Sequence, residues 1–329
     1  MFAKEEIKSI AILRALQLGD LLCSVPAFRA LRKSFPNAHI AILGMPWMKS
    51  FVQRFKNYLD EFIWFPGYPG LPEQAVDPAP TASFITSMVK RKFDFALQMQ
   101  GNGTIINPLV ELLGAKYTGG FYTEHDYRPS SPYFISYPDG ISEIHRHLKL
   151  MEHIGAEPAG DELEFPVTEN DEEEFANAFL PVEPKKYICV HAGSRGAWRQ
   201  WPAEYFARLA DECFYKGYMI VLTGTAEEMP IVSEVASHMV NQCVVAAGKT
   251  SLGALAVLLK NSAGLISNCT GVSHIASALK VKSVVISMDG EPGRWAPLNT
   301  QLHTTIDWTK NNSFEVVRQA VDERFSAIE

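Results

Sequence analysis

Three short segments carry residue types at spacings that could do chemistry. The first is Ser267-Asn268-Cys269-Thr270-Gly271-Val272-Ser273-His274, which follows an aliphatic run and opens a helical one. A Thr-Gly turn lets backbone come close to a ligand, and the unpaired N–H groups of a first helical turn suit a diphosphate. His274 falls about one turn into that helix, where its ring could add a donor. The second is His191-Ala192-Gly193-Ser194, followed by Arg195, Trp198, Arg199, Gln200, Trp201 and Pro202. Small residues, a hydroxyl and two guanidinium groups make an anion-binding loop. The third is Leu16-Gln17-Leu18-Gly19-Asp20-Leu21-Leu22, which presents a carboxylate suited to general-base work. Each also has a plainer reading. Thr270 and Asp20 are good helix caps, His274 is a core histidine, and Trp201 with Pro202 anchors a helix start. Nothing local decides between the readings.

The elements that must position these segments alternate. Ser9–Leu13 (SIAIL) and 39–43 (HIAIL) are short, continuous and aliphatic, as buried parallel strands are. A helix is expected over 21–35, ended by Pro36-Asn37. Further strands are expected at 62–65, 93–98 and 117–121, with helices near 81–91 and 103–113. Residues 66–80 (PGYPGLPEQAVDPAP) hold so much proline and glycine that they read as a long loop. An acidic helix near 171–179 leads into Pro181 and Pro184, which suggests a domain boundary. The alternation then restarts, with strands at 187–190, 218–222, 243–246, 264–267 and 283–287. Helices fall between them at 203–216, 226–238, 251–259 and 272–279. All three chemical segments sit where a strand ends and a helix begins, which is where doubly wound sheets bind ligands.

At 329 residues the chain is long enough for two domains, and 47% hydrophobic content supplies two cores. The net charge of −7 argues against a nucleic-acid partner. Cys23, Cys189, Cys213, Cys243 and Cys269 are scattered without a CxxC pair, so disulfides and structural zinc are not expected and a reducing cytoplasm fits. The charged start MFAKEEIKSI lacks the apolar centre of a signal peptide. No run approaches the roughly 18 apolar residues of a membrane span. A peripheral membrane contact is left open.

Taken in order, LGDLLCSVPAFRALRKSFPNAHI, FDFALQMQGN, HAGSRGAWRQWPAEYFARLA, GYMIVLTGTAEE, AAGKTSLGALAVLL and LISNCTGVSHIASAL resemble glycosyltransferase family 9, the ADP-heptose:lipopolysaccharide heptosyltransferase-like proteins. The resemblance runs over nearly the whole chain, and its first and last segments are the most specific. It implies a GT-B fold, two Rossmann-like doubly wound α/β domains facing across a cleft. The N-terminal acceptor domain would span 1–180 and the nucleotide-sugar domain 181–312, with a last helix over 313–329 packing back on the first. It implies inverting transfer from a nucleotide sugar to a lipopolysaccharide core or other surface glycan, at the cytoplasmic face of the inner membrane. Neither a metal nor another cofactor is implied, because the nucleotide sugar is a substrate. Residues 171–174 (DEEE) accordingly read as an exposed helical face rather than a metal site.

By the same resemblance Asp20 matches the catalytic aspartate, taking the proton of the acceptor hydroxyl. Arg199 stands where the family commonly has a phosphate-contacting lysine, Ser194 adds a hydroxyl, and Thr270, Gly271, Val272 and His274 hold the phosphates. One departure is notable. The family usually has an aspartate before Thr-Gly, and here the residue is Cys269, whose unperturbed thiol is mostly neutral at pH 7. That weakens the assignment of ADP-heptose as donor and motivates a second reading, a catalytically weak member that binds a nucleotide sugar. A third reading, a nucleotide-sugar epimerase, shares the architecture but fits the motif order poorly. Acceptor loops are expected at 66–80 and 122–138.

Overall fold

The aliphatic run Ser9–Leu13 forms β1, buried at every position after its first. From it the first sheet grows through α1 (Leu18–Leu22), α2 (Val25–Ser34), β2 (His39–Gly44), α3 (Met48–Arg54) and β3 (Glu61–Trp64). It continues through α4 (Pro78–Arg91), β4 (Phe95–Gln98), α5 (Asn107–Leu112), β5 (Tyr117–Tyr122), β6 (Tyr133–Ser136) and α6 (Glu143–His153). The six strands are parallel in the order β3-β2-β1-β4-β5-β6. This computed structural model describes residues 3–328, and its contacts divide the chain into Met1–Asp161 and Glu162–Glu329.

The second unit opens with α7 (Glu169–Asn177), then β7 (Tyr187–His191), α8 (Ala203–Tyr215), β8 (Met219–Leu222), α9 (Met229–His238) and β9 (Val244–Val245). It closes with α10 (Leu252–Asn261), β10 (Gly264–Asn268), α11 (Gly271–Ala278), β11 (Ser283–Ser287), α12 (Pro292–Trp295), β12 (His303–Asp307) and α13 (Phe314–Arg324). Its sheet is also parallel, ordered β12-β11-β10-β7-β8-β9. Counted from the opposite edge this repeats the order of the first sheet. Each unit therefore has one place where the winding reverses, between β1 and β4 and between β7 and β10, and the expected doubly wound α/β architecture is present in both.

Several expectations change. The contact boundary falls between Asp161 and Glu162, ahead of the expected 180/181, because the acidic helix α7 packs on α10. Within it Asp171 is buried as a cap, its carboxylate accepting the Thr168 N–H at 2.8 Å. Glu174 accepts the Ser251 hydroxyl, so the acidic run is in part structural. The helix expected over 21–35 is two helices, since Pro26 in the first turn of α2 has no N–H to extend the preceding one. α4 begins inside the expected loop, capped by the Asp77 carboxylate, which accepts the Ala79 N–H at 3.1 Å.

The last helix, expected over 313–329, is packed within the second unit. In α13 the stripe Val317, Ala320 and Val321 and the following Phe325 are buried in the second unit's own core, with Trp201 and Phe206. The helix lies on β11 and α8. A Cβ at Gly264 would overlap the Phe325 ring and crowd the Lys282 carbonyl, so the first residue of β10 is glycine where that ring packs.

Gly264→Ala should thus destabilise the second unit through Phe325. Phe325→Ala alone should cost about 3–5 kcal/mol. In the double variant Gly264→Ala should add less than it costs alone, a coupling of about 1–2 kcal/mol by denaturant titration. Strict additivity would show that α13 is not docked here.

Candidate functional site

In the first unit the reversal between β1 and β4 exposes the ends of two strands, and the sequence fills them with polar side chains. Arg14 follows β1 directly and is fully buried. Its guanidinium donates to the Met99 carbonyl beyond β4, and to the Asp20 carbonyl from Nε at 3.1 Å and Nη2 at 2.8 Å. Nη2 also lies 3.2 Å from Glu143 Oε1 and 4.0 Å from Asp20 Oδ1. The Gln100 side-chain oxygen accepts the Ala15 N–H at 2.7 Å, and that of Gln98 accepts the Phe121 N–H at 3.0 Å. A single turn of helix, α1, starts above this layer.

Asp20 is the third residue of α1, and its carboxylate accepts the Gln17 N–H at 3.3 Å in a capping box. The plainer reading is therefore true of it. The same side chain is 22% exposed, so it caps the helix and still faces solvent. Beneath it, α6 contributes Glu143, Arg146 and His147, all buried. Arg146 pairs with Glu143, and His147 Nε2 lies 3.2 Å from Glu143 Oε1. Burial, reinforced by the nearby Arg14 charge, pushes the His147 imidazole down to about 4.

In the second unit Asn268, the last residue of β10, is fully buried. Its side-chain oxygen accepts the Trp201 N–H at 2.9 Å, and its amide donates to the Ala192 carbonyl at 2.7 Å. One side chain thereby ties the loop after β7 to the turn after β10. Ser194 is buried in that loop, and its carbonyl accepts from the Gln200 amide at 3.2 Å. A Cβ at Gly193 would displace the Glu228 carboxylate, which lies directly against it. His191 is buried, 3.1 Å from the Thr223 hydroxyl and 3.8 Å from Glu228, and burial lowers its affinity for a proton.

Arg199 is 30% exposed and forms an ion pair with Asp289, which follows β11. Burial opposes charge on Asp289. The Ser287 hydroxyl, the Glu291 N–H and Arg199 outweigh it and hold the carboxyl below its ordinary value. Cys269 is buried, its thiol pushed up to about 12 chiefly by burial and then by the Asp289 charge. Thr270 is the N-cap of α11 in extended backbone and makes no side-chain cap. Its carbonyl instead accepts the Ser273 N–H at 3.0 Å and hydroxyl at 2.7 Å. Gly271 opens α11, Val272 and His274 are buried, and the His274 ring stands 6.4 Å from that of Trp295.

The structure thus assembles Ser194, Arg199 and the turn 270–274 at the reversal of one sheet and sets Asp20 at the reversal of the other. A helix N-terminus, a guanidinium and buried small residues in one unit can hold a diphosphate. In the other, a carboxylate that is 22% exposed can take a proton. Sequence reading missed Arg14, Glu143 and Asp289, and gave Asn268 no role of its own. Arg14 and Asp289 each stand at or just beyond a strand end, where scanning every strand–helix junction would have found them. Glu143 lay in a helix that polar buried residues had disguised.

The sequence profile of glycosyltransferase family 9 (heptosyltransferase) matches residues 81–325. The chain is 21% identical over 316 residues to lipooligosaccharide heptosyltransferase 2 of Haemophilus ducreyi, covering 89% of this chain and 86% of that one. It is similar in structure to a family 9 glycosyl transferase from Veillonella parvula, with TM-score 0.78, 21% identity and 97% and 90% coverage. The ADP-heptose lps heptosyltransferase II of E. coli superposes with TM-score 0.73 at 19% identity, covering 97% of each chain. The structural likenesses carry the fold, which is GT-B.

The buried His147 makes a stability prediction. Its folded value, about 4, lies below the ordinary 6.5, so as pH falls the unfolded chain takes the proton first. Stability from this group is complete above about 6.5 and is lost progressively towards 4, by up to about 3 kcal/mol. His147→Asn should flatten the unfolding free energy over that interval relative to the parent, as read by urea titration at stepped pH. An unchanged slope would show that His147 does not resist protonation.

Proposed function

The chain belongs to glycosyltransferase family 9 and is a glycosyltransferase, and from that premise we propose that it moves a heptose or related sugar from ADP-heptose to a lipopolysaccharide core or similar surface glycan. The transfer inverts the anomeric carbon and uses no metal. The observation that carries the reading is the placement of Asp20 and of the 270–274 turn with Arg199, each at the reversal point of its own sheet. Those are the positions at which such sheets bind ligands. The curated relative's name, a heptosyltransferase acting on lipooligosaccharide, supports the donor and acceptor classes.

In this reading the acceptor oxygen attacks the anomeric carbon as its proton passes to Asp20, and the bond to the diphosphate oxygen breaks. The departing nucleoside diphosphate takes that electron pair. Its growing charge meets the first N–H groups of α11 and the Arg199 guanidinium, which stabilise it in place of a metal. Arg199 must then be shared between the diphosphate and Asp289. No helix among the described residues is long and apolar enough to cross a membrane, and we place the reaction in the cytoplasm, where a lipid-linked acceptor would be met at the inner membrane's face.

One observation favours a second reading. The buried thiol of Cys269 stays neutral, so the position before Thr270-Gly271 supplies no charge, and a nucleotide-sugar binder with little turnover would also have this site.

Thermal unfolding against ADP, GDP, UDP, CDP and their sugars, with and without magnesium, tests both. At 100 times its dissociation constant the bound nucleotide should add about 2.7 kcal/mol of stability. ADP should do so without magnesium, and Arg199→Ala or His274→Ala should reduce the shift. Asp20→Asn should keep the shift and lose transfer. A shift with no turnover across donors and acceptors selects the second reading, and no shift with any nucleotide overturns the donor site.

A further inference from the structure

The buried arginine beneath α1 has no place in the reaction as described. A fully buried guanidinium is costly unless its N–H groups are paired. Those of Arg14 are directed to three places: the Met99 carbonyl, the Asp20 carbonyl, and Glu143 on α6. Two of its nitrogens converge on the main chain of Asp20 itself. Nη2 stands between two carboxylates, 3.2 Å from Glu143 and 4.0 Å from the side chain of Asp20. The Ser24 hydroxyl donates to the same Asp20 carbonyl at 2.9 Å. The turn that bears the carboxylate is therefore held at its backbone, while the carboxylate itself keeps 22% of its surface exposed.

We propose that Arg14 is a positioning residue for Asp20, and that Glu143 sets how much of its positive charge Asp20 feels. The proposal rests on the reading of Asp20 as the base. It gives the buried cluster two tasks. Bidentate bonding to the Asp20 carbonyl fixes the start of α1, so the carboxylate keeps one direction when an acceptor arrives. The shared guanidinium also holds that carboxylate in its ionised, proton-accepting form. The charged and titratable groups placed against this pair include Glu143, Arg146 and His147, all on α6. Arg146 occupies the other oxygen of Glu143, and the buried His147 adds no charge near neutral pH.

The test follows the acidic limb of the kcat/KM–pH profile, with ADP-heptose as the first donor probe and the panel above supplying any other. Arg14→Met should lower kcat about a hundredfold, the scale of a small misplacement of a reacting group. Donor KM should not change, and the limb should move up by about one pH unit. Glu143→Gln should move it the opposite way, because it frees Arg14 to act on Asp20 alone. Arg14→Lys keeps the charge and loses the fork, so kcat should fall while the limb stays. If Arg14→Met does not fold, the other two variants carry the test. A merely structural arginine would lower the amount of folded protein without displacing the limb in opposite directions. Folded variants with the parent's kcat and limb, or limbs moving together, overturn the proposal. Undiminished transfer by Asp20→Asn, or no donor turnover by the parent chain, overturns the reading of Asp20 and this proposal with it.

Discussion

Where the winding of a parallel sheet reverses, the connections on either side leave in opposite directions and the strand ends between them are uncovered. The backbone groups there have no ladder to join, and buried polar groups left unpaired are costly. Both units meet this constraint with side chains. Arg14, Gln98 and Gln100 serve the first sheet, and Asn268 the second. These residues close the bottom of each site and set the path of the loops above it. The chemistry described for Asp20, Arg199 and the α11 N-terminus is built on a floor laid for backbone satisfaction.

The two floors differ in kind, and the difference follows from what each must present. Asn268 is neutral and holds two loops at fixed distance, which suits a site whose ligand brings the charge. The first unit buries a full guanidinium with two carboxylates and a second arginine around it. Such a cluster is stable only as a whole, because removing one member strands the others. It couples the geometry of α1 to that of α6, so the direction of the Asp20 carboxylate depends on a helix far along the chain. In the second unit the charged pair is Arg199, 30% exposed, with the largely buried carboxylate of Asp289, so only the cation's outer side is open to an anion.

The relatives show how far this architecture tolerates change. Identity near one residue in five accompanies a TM-score of 0.78 over nearly the whole chain. That is the behaviour of a fold set by strand burial and winding order, which many aliphatic sequences satisfy. The loop residues are not free in the same way. Cys269 is buried and neutral, and its thiol lies within the field of Asp289, a carboxylate that follows β11.

The sequence by itself determined the strand–helix alternation, because short aliphatic runs between turn residues can be satisfied only as covered parallel strands. It determined that Ser194 and Thr270-Gly271 stand just past strand ends and that Asp20 and Arg199 lie in the connections that follow such runs. It did not disclose α6, whose inner face carries Glu143, Arg146 and His147 among its apolar residues, because buried charge breaks the apolar period on which helix reading depends. Nor did it disclose which unit owns α7 and α13, since an apolar stripe states that a helix is covered and not by what. Tertiary structure alone decided that Arg14 meets Glu143 and Asn268 meets Trp201. These pairs are 129 and 67 residues apart, and only the folded sheets set the distance between them.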